Sequence, residues 1–160
     1  MTPTPPATLD QAGIAARIPH SGSMCLLDRL EAWSAQDIRC AASSHRSADH
    51  PLRMGGVLHS ACAIEYAAQA MALHGALTAA ATAAGAADAA DAPPAAGFLA
   101  SVRSVRLMVP RLDNVETELT ISAQRLAGDT RQAMYSFALH DAHGALLVEG
   151  RATVILNTSP

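Results

Sequence analysis

Lysine is absent from this chain, and its eleven basic residues are all arginine. Fourteen acidic residues bring the formal charge to −3, and the sequence holds no basic tract. Holding a phosphate backbone takes clustered cations, so nucleic acid is excluded as a main partner. Cysteine is scarce: Cys25, Cys40 and Cys62 are odd in number and widely spaced, with no CxxC pair. That pattern excludes a disulfide framework and a structural zinc site. Aromatics make up 3% of a chain that is 50% hydrophobic. Alanine fills the gap, so the core is expected to hold small side chains around a few large ones. The opening MTPTPPATLDQAG lacks the basic residues and apolar block of a signal peptide. The long apolar run from Tyr66 to Ala87 is broken by His74, glycines and threonines, and alanine is only weakly hydrophobic on insertion scales. The expectation is a cytoplasmic protein with no membrane span.

At 160 residues the chain is long enough for one domain with a sizeable core. Residues 1–9 are rich in proline and threonine and are expected to be disordered, ahead of a single domain over 10–157. Residues 10–17 predict a short helix with Asp10 as its N-cap, and Trp33 to Ala41 predicts a strand. The polar, turn-rich SSHRSADHPLRMGG reads as a loop. From Val57 the sequence HSACAIEYAAQAMALHGALTAAATAAG predicts a long helix stopped near Gly85, apolar on every side and therefore buried. Residues 84–96, alanine-rich with two consecutive prolines, predict a mobile loop. The last third alternates in strand fashion through FLASVRSVRLMV, ETELTISAQRL, RQAMYSFALHD and ALLVEGRATVIL, with turns between them. A strand, a buried helix and an antiparallel meander give an α+β domain in which a sheet wraps one helix.

Three segments, in this order, carry a family resemblance. IPHSGSMCLLDRL resembles the opening of the FabA/FabZ-type (3R)-hydroxyacyl-ACP dehydratases, and IEYAAQAMALHG resembles their central helix, with an acidic residue followed four positions later by glutamine. The closing strands from GFLASVRSVRLMVPRLDN to VEGRATVIL resemble that family's meander. Within it the chain is most similar to the divergent branch found in aryl-polyene-type pigment clusters. The resemblance implies a hotdog fold and a homodimer or heterodimer with a second hotdog subunit. It also implies 3-hydroxyacyl chains delivered on acyl carrier protein, in fatty-acid or polyene-type biosynthesis, without a cofactor. A loop histidine of one subunit would face a helix carboxylate of the other. The carboxylate carries over to Glu65 and the glutamine to Gln69. His50 stands where the family has its catalytic histidine, although it lies fifteen residues before Glu65 and the family spacing is one shorter. The family's Phe-Pro-Gly loop is replaced by HPLRMGGVLH, which leaves His59 as a second candidate.

Removing a proton from C2 and expelling water from C3 needs a base and an acid. Histidine suits the first role and a carboxyl group in an apolar setting the second. Gly55, Gly56 and Val57, ahead of the helix, are candidates for substrate binding, since glycine allows close backbone approach and helix-start N–H groups lack intrahelical partners. Gln69, one turn from Glu65, and His20, in a structural or channel-lining role, complete the candidate set. Each residue also has a plain reading. Glu65 could pair with an arginine, His50 could be a surface histidine, and Cys62 reads as core. His74 is expected to pack or bond near the helix end, and His45, His140 and His143 to sit in loops. Seven histidines occur without HxxxH or HExxH spacing, so no metal is expected. Two other functions stay open: a hotdog acyl thioesterase, and a non-catalytic or weakly active partner subunit of a dehydratase heterodimer.

Overall fold

A computed structural model describes residues 5–83 and 97–156. The loop expected at 84–96 lies outside the described residues. In chain order the elements are β1 (Leu9–Asp10), α1 (Gln11–Ala15), β2 (Arg29–Trp33), β3 (Asp37–Ala42), α2 (Ala63–Ala83), β4 (Gly97–Leu107), β5 (Leu119–Gly128), β6 (Gln132–His140) and β7 (Leu146–Leu156). All strand pairs are antiparallel, in one sheet of order β1-β2-β3-β5-β6-β7-β4. The sheet curls around α2, which packs on β3, β5 and β6.

The composition explains this arrangement. From Ala63 to Thr78 every residue of α2 is buried or half-buried, so the helix has no wet face for most of its length. Its alanines let the strands come close, and the larger side chains Tyr66, Leu73 and Leu77 fill the remaining space. Fully burying a leucine contributes roughly 1.5–3 kcal/mol. Opposite them, Leu119, Ile121, Phe137, Leu139 and Val148 alternate inward from the meander. No helix among the described residues is long and apolar enough to cross a membrane.

Three local expectations are revised. The strand predicted from Trp33 to Ala41 is a hairpin, β2 and β3, whose turn is made by Ser34: its Oγ accepts the N–H groups of Gln36 and Asp37. Serine, alanine and glutamine here close a turn through a side-chain bond that hydrophobic alternation does not register. The long helix begins at Ala63 rather than Val57, because Val57 closes the tight turn at Gly55–Gly56 and a 3-10 turn at Ser60–Cys62 comes before the helix. Of residues 1–9, where disorder is expected, residues 1–4 lie outside the described residues and residues 5–9 run along β2. Trp33 Nε1 donates to the Pro6 carbonyl at 2.9 Å, and Leu9–Asp10 pairs with β2. Asp10 caps α1 as predicted, its Oδ1 accepting the Gly13 N–H at 2.8 Å.

Three histidines are enclosed. His45, expected in a loop, is fully buried in a 3-10 turn with Nε2 on the Val115 carbonyl, 2.9 Å. His74 is buried between the Tyr135 hydroxyl (Nδ1, 2.8 Å) and the Ser34 carbonyl (Nε2, 2.9 Å). His50 is also buried. Desolvation holds all three imidazoles below the ordinary histidine range, and the Arg53 charge adds to the effect at His50. The unfolded chain therefore takes up these protons first. Their contribution is fully present above an unfolded value of about 6.5 and is lost as pH falls below it. Thermal melts should show a lower Tm at pH 5.5 than at pH 7.5. An equal or higher Tm at pH 5.5 would mean that these rings are not held neutral.

Candidate active site

Glu65 lies in the first turn of α2. Its Oε1 accepts from Gln69 Nε2 at 3.0 Å and faces His20 Nε2 at 2.9 Å. The second oxygen, Oε2, takes no bond from the described residues. The side chain is about a third exposed, as is that of His20 (31% and 27%). One carboxylate oxygen is thus fixed by two neighbours while the other is left unbonded by the described residues.

Gln69 is completely buried and fully used. Its Nε2 also donates to the Met24 carbonyl at 2.7 Å, and its Oε1 accepts the Leu26 N–H at 2.9 Å. Two acceptors on one side and one N–H donor on the other fix the orientation of the amide. The segment Met24–Leu26 is therefore clipped onto α2 one turn beyond Glu65. The same segment carries His20 a few residues earlier, which brings the Pro-His motif onto the carboxylate within a single chain. His20 Nδ1 is buried and has no hydrogen-bond partner among the described residues.

The loop candidates sit elsewhere. His50 Nε2 is 3.0 Å from the hydroxyl of Tyr66, and its Nδ1 accepts the Leu52 N–H at 3.1 Å. Tyr66 follows Glu65, and neighbouring residues on a helix point about 100° apart. Within the chain His50 thus engages the neighbour and not the carboxylate. His59 is exposed, precedes the 3-10 turn with no side-chain cap bond, and bridges to Arg111. Gly55 and Gly56, at φ +58° and +78°, form a two-residue turn closed by reciprocal Met54–Val57 backbone bonds. They are exposed, while Val57 is half-buried. Asp113 braces this loop, accepting the Leu58 N–H at 3.0 Å and pairing with Arg111 and Arg53. The Arg111 guanidinium holds its carboxyl well below the usual range.

Sequence reasoning missed Tyr66 and Ser44. A tyrosine beside the acidic residue in an otherwise alanine-rich helix was the available signal. Two concavities, of about 640 and 740 Å³, lie away from Glu65. The first is at the far end of α2, among Trp33, Thr78, Thr82 and Arg125. The second is on the outer face of the sheet, near Arg39, Arg106 and Arg151. Neither is lined by Glu65, whose side chain is about a third exposed in the single chain.

A buried helix wrapped by an antiparallel sheet, with a carboxylate in the first helical turn, defines a protein of the hotdog class. The chain matches the ApeP-like family, described as ApeP dehydratase, over residues 12–159, and it belongs to that family. Among solved structures it is similar to the dehydratase heterocomplex ApeI:P of Xenorhabdus doucetiae, at 24% identity and a TM-score of 0.72 over 91% of each chain. It is also similar to AziG of S. sahachiroi, at 16% identity and TM-score 0.56, covering 79% of this chain and 88% of that one. A hypothetical thioesterase with coenzyme A from Streptococcus pneumoniae TIGR4 matches at 12% identity and TM-score 0.55, covering 80% and 84%. These likenesses fix the hotdog fold. No curated protein matches the chain.

Proposed function

We propose that this chain is the carboxylate-bearing subunit of a hotdog dehydratase that removes water from 3-hydroxyacyl thioesters carried on acyl carrier protein. The observation that carries the reading is Glu65: Oε1 is held by His20 and Gln69, and Oε2 is left unbonded by the described residues on a side chain about a third exposed. A carboxyl group so held can pass a proton to a departing hydroxyl, or orient the water that does. The base is a histidine of a second hotdog chain, since His50 has both ring nitrogens engaged at home. Membership of a dehydratase family, and the heterocomplex named for the X. doucetiae relative, support this division. The test is to purify the chain with its hotdog partner and supply 3-hydroxyacyl and 2-enoyl thioesters on carrier protein. Interconversion of the two supports the reading. Thioester hydrolysis without interconversion selects the thioesterase alternative. A supporting role without catalytic residues is favoured by one observation: the histidine facing Glu65 Oε1 comes from this same chain, as His20. It predicts that the partner is active while Glu65 is dispensable.

The partner's place is the β4 edge. β4 ends the sheet, and among the described residues nothing pairs with its outer side. Its helix-facing positions Leu99, Val102 and Leu107, opposite Val154, Ala152 and Val148, are exposed by 37–50%. A long apolar edge invites association with another strand. Val102→Asp should therefore abolish assembly with the second hotdog chain, read as a fall to monomer mass by light scattering. Unchanged assembly would move the interface elsewhere.

A further inference from the structure

His50 is the histidine that sequence spacing marks for catalysis, yet its bonds define another task. The Leu52 N–H can only donate, so Nδ1 carries the lone pair and the ring proton sits on Nε2. Nε2–H then donates to the Tyr66 hydroxyl at 3.0 Å. The tyrosine, having accepted, donates to Ser44 Oγ at 2.7 Å, and Ser44 donates to the Leu26 carbonyl at 2.8 Å. Every bond in this chain has one allowed direction. It ends on a peptide oxygen, which passes no proton onward. The other backbone group of Leu26, its N–H, lies on Gln69 Oε1 at 2.9 Å, and Gln69 Nε2 reaches Glu65 Oε1 at 3.0 Å.

We infer that His50, Tyr66 and Ser44 are positioning residues, which pin Leu26 and through Gln69 set the placement of Glu65 against His20. This rests on Glu65 as the reacting carboxylate. The physical case is that Met24–Leu27 belongs to no strand or long helix and is held at Leu26 from both sides. Tyr66 and Gln69 are fully buried, and His50 is 5% exposed, so water does not replace a missing link cheaply. Burial also keeps the His50 ring neutral, which preserves the acceptor that Leu52 requires.

The test uses the full chain, alone and with its hotdog partner. Ser44 is half-buried, so Ser44→Ala cuts the chain with little loss of packing, and Ser44→Thr keeps the hydroxyl. Two readouts follow. In the chain alone, nitrogen-15 NMR of the wild type should show His50 protonated on Nε2. The His20 ring signals should move in Ser44→Ala and in Tyr66→Phe, and return to their wild-type positions in Ser44→Thr. In the complex, Ser44→Ala should lower kcat by roughly tenfold to a hundredfold, the range expected for a misplaced reacting group, with KM little changed and Ser44→Thr restoring the rate. Signals of His20 that stay fixed when the chain is cut would overturn the inference. So would His50 protonated on Nδ1. If the complex has no dehydratase activity, the function falls, and the NMR arm still decides whether this chain of bonds places the Glu65–His20 pair.

Discussion

Glu65→Gln is expected to lower turnover of 3-hydroxyacyl thioesters by a hundredfold or more in the assembled complex, while the melting curve stays close to wild type. The amide keeps the length and the hydrogen-bonding capacity of the side chain. Its oxygen can still accept from Gln69 Nε2 at the position now bonded at 3.0 Å. What it loses is the ability to take or give a proton at the open oxygen, and general acid–base groups contribute about 10²- to 10⁴-fold. The side chain is about a third exposed, so removing its charge leaves no buried ion unpaired. The comparison that decides is single-turnover dehydration with the partner unchanged. Activity within a fewfold of wild type would assign the chemistry to the other subunit and make this chain its support.

Gln69→Leu should have the largest effect on stability. Leucine fits the volume of the site but strips the partners from two backbone groups, the Leu26 N–H and the Met24 carbonyl. Gln69 is completely buried, so the new side chain encloses both groups without a bond. A buried polar group left unpaired costs about 1–3 kcal/mol. For a chain of this size each kcal/mol moves Tm by about 2–4 °C. The expected fall is therefore on the order of 10 °C in a thermal melt, with turnover lost as well because Glu65 is released. A Tm within a degree or two of wild type would mean that the Met24–Leu26 segment relaxes to find water, and that the clip is not a main support of the fold.

The parts of this protein that were legible in the sequence are those that periodicity and composition encode. A helix without a polar side, followed by four alternating segments, forced a sheet to wrap it, and the four closing strands appear where alternation put them. The Glu65–Gln69 pair was legible because helical spacing alone brings residues four apart together. The β2–β3 turn was not, since its closing bond comes from one serine side chain. Nor was the meeting of His20 with Glu65, which depends on an irregular segment held by Gln69 from a distance of more than forty residues. His50 shows the limit from the other side. Spacing marks it by its place in the loop, while its contact within the chain is with the Tyr66 hydroxyl, one residue beyond the carboxylate.

The alanine content of α2 has a consequence for how the helix is seated. Large side chains lock neighbouring elements by interdigitation, and a smooth cylinder of methyl groups offers little to resist sliding or turning inside its sheath. Here the buried polar residues act as detents. Gln69 grips the Met24–Leu26 backbone near one end, and about a turn and a half further on His74 is held by both ring nitrogens between Ser34 and Tyr135. Two grips on different faces permit one depth and one rotation of the helix. The groups that place the Glu65 oxygens are thereby the groups that tell the helix where to stop, so the accuracy of the site and the uniqueness of the fold have the same origin.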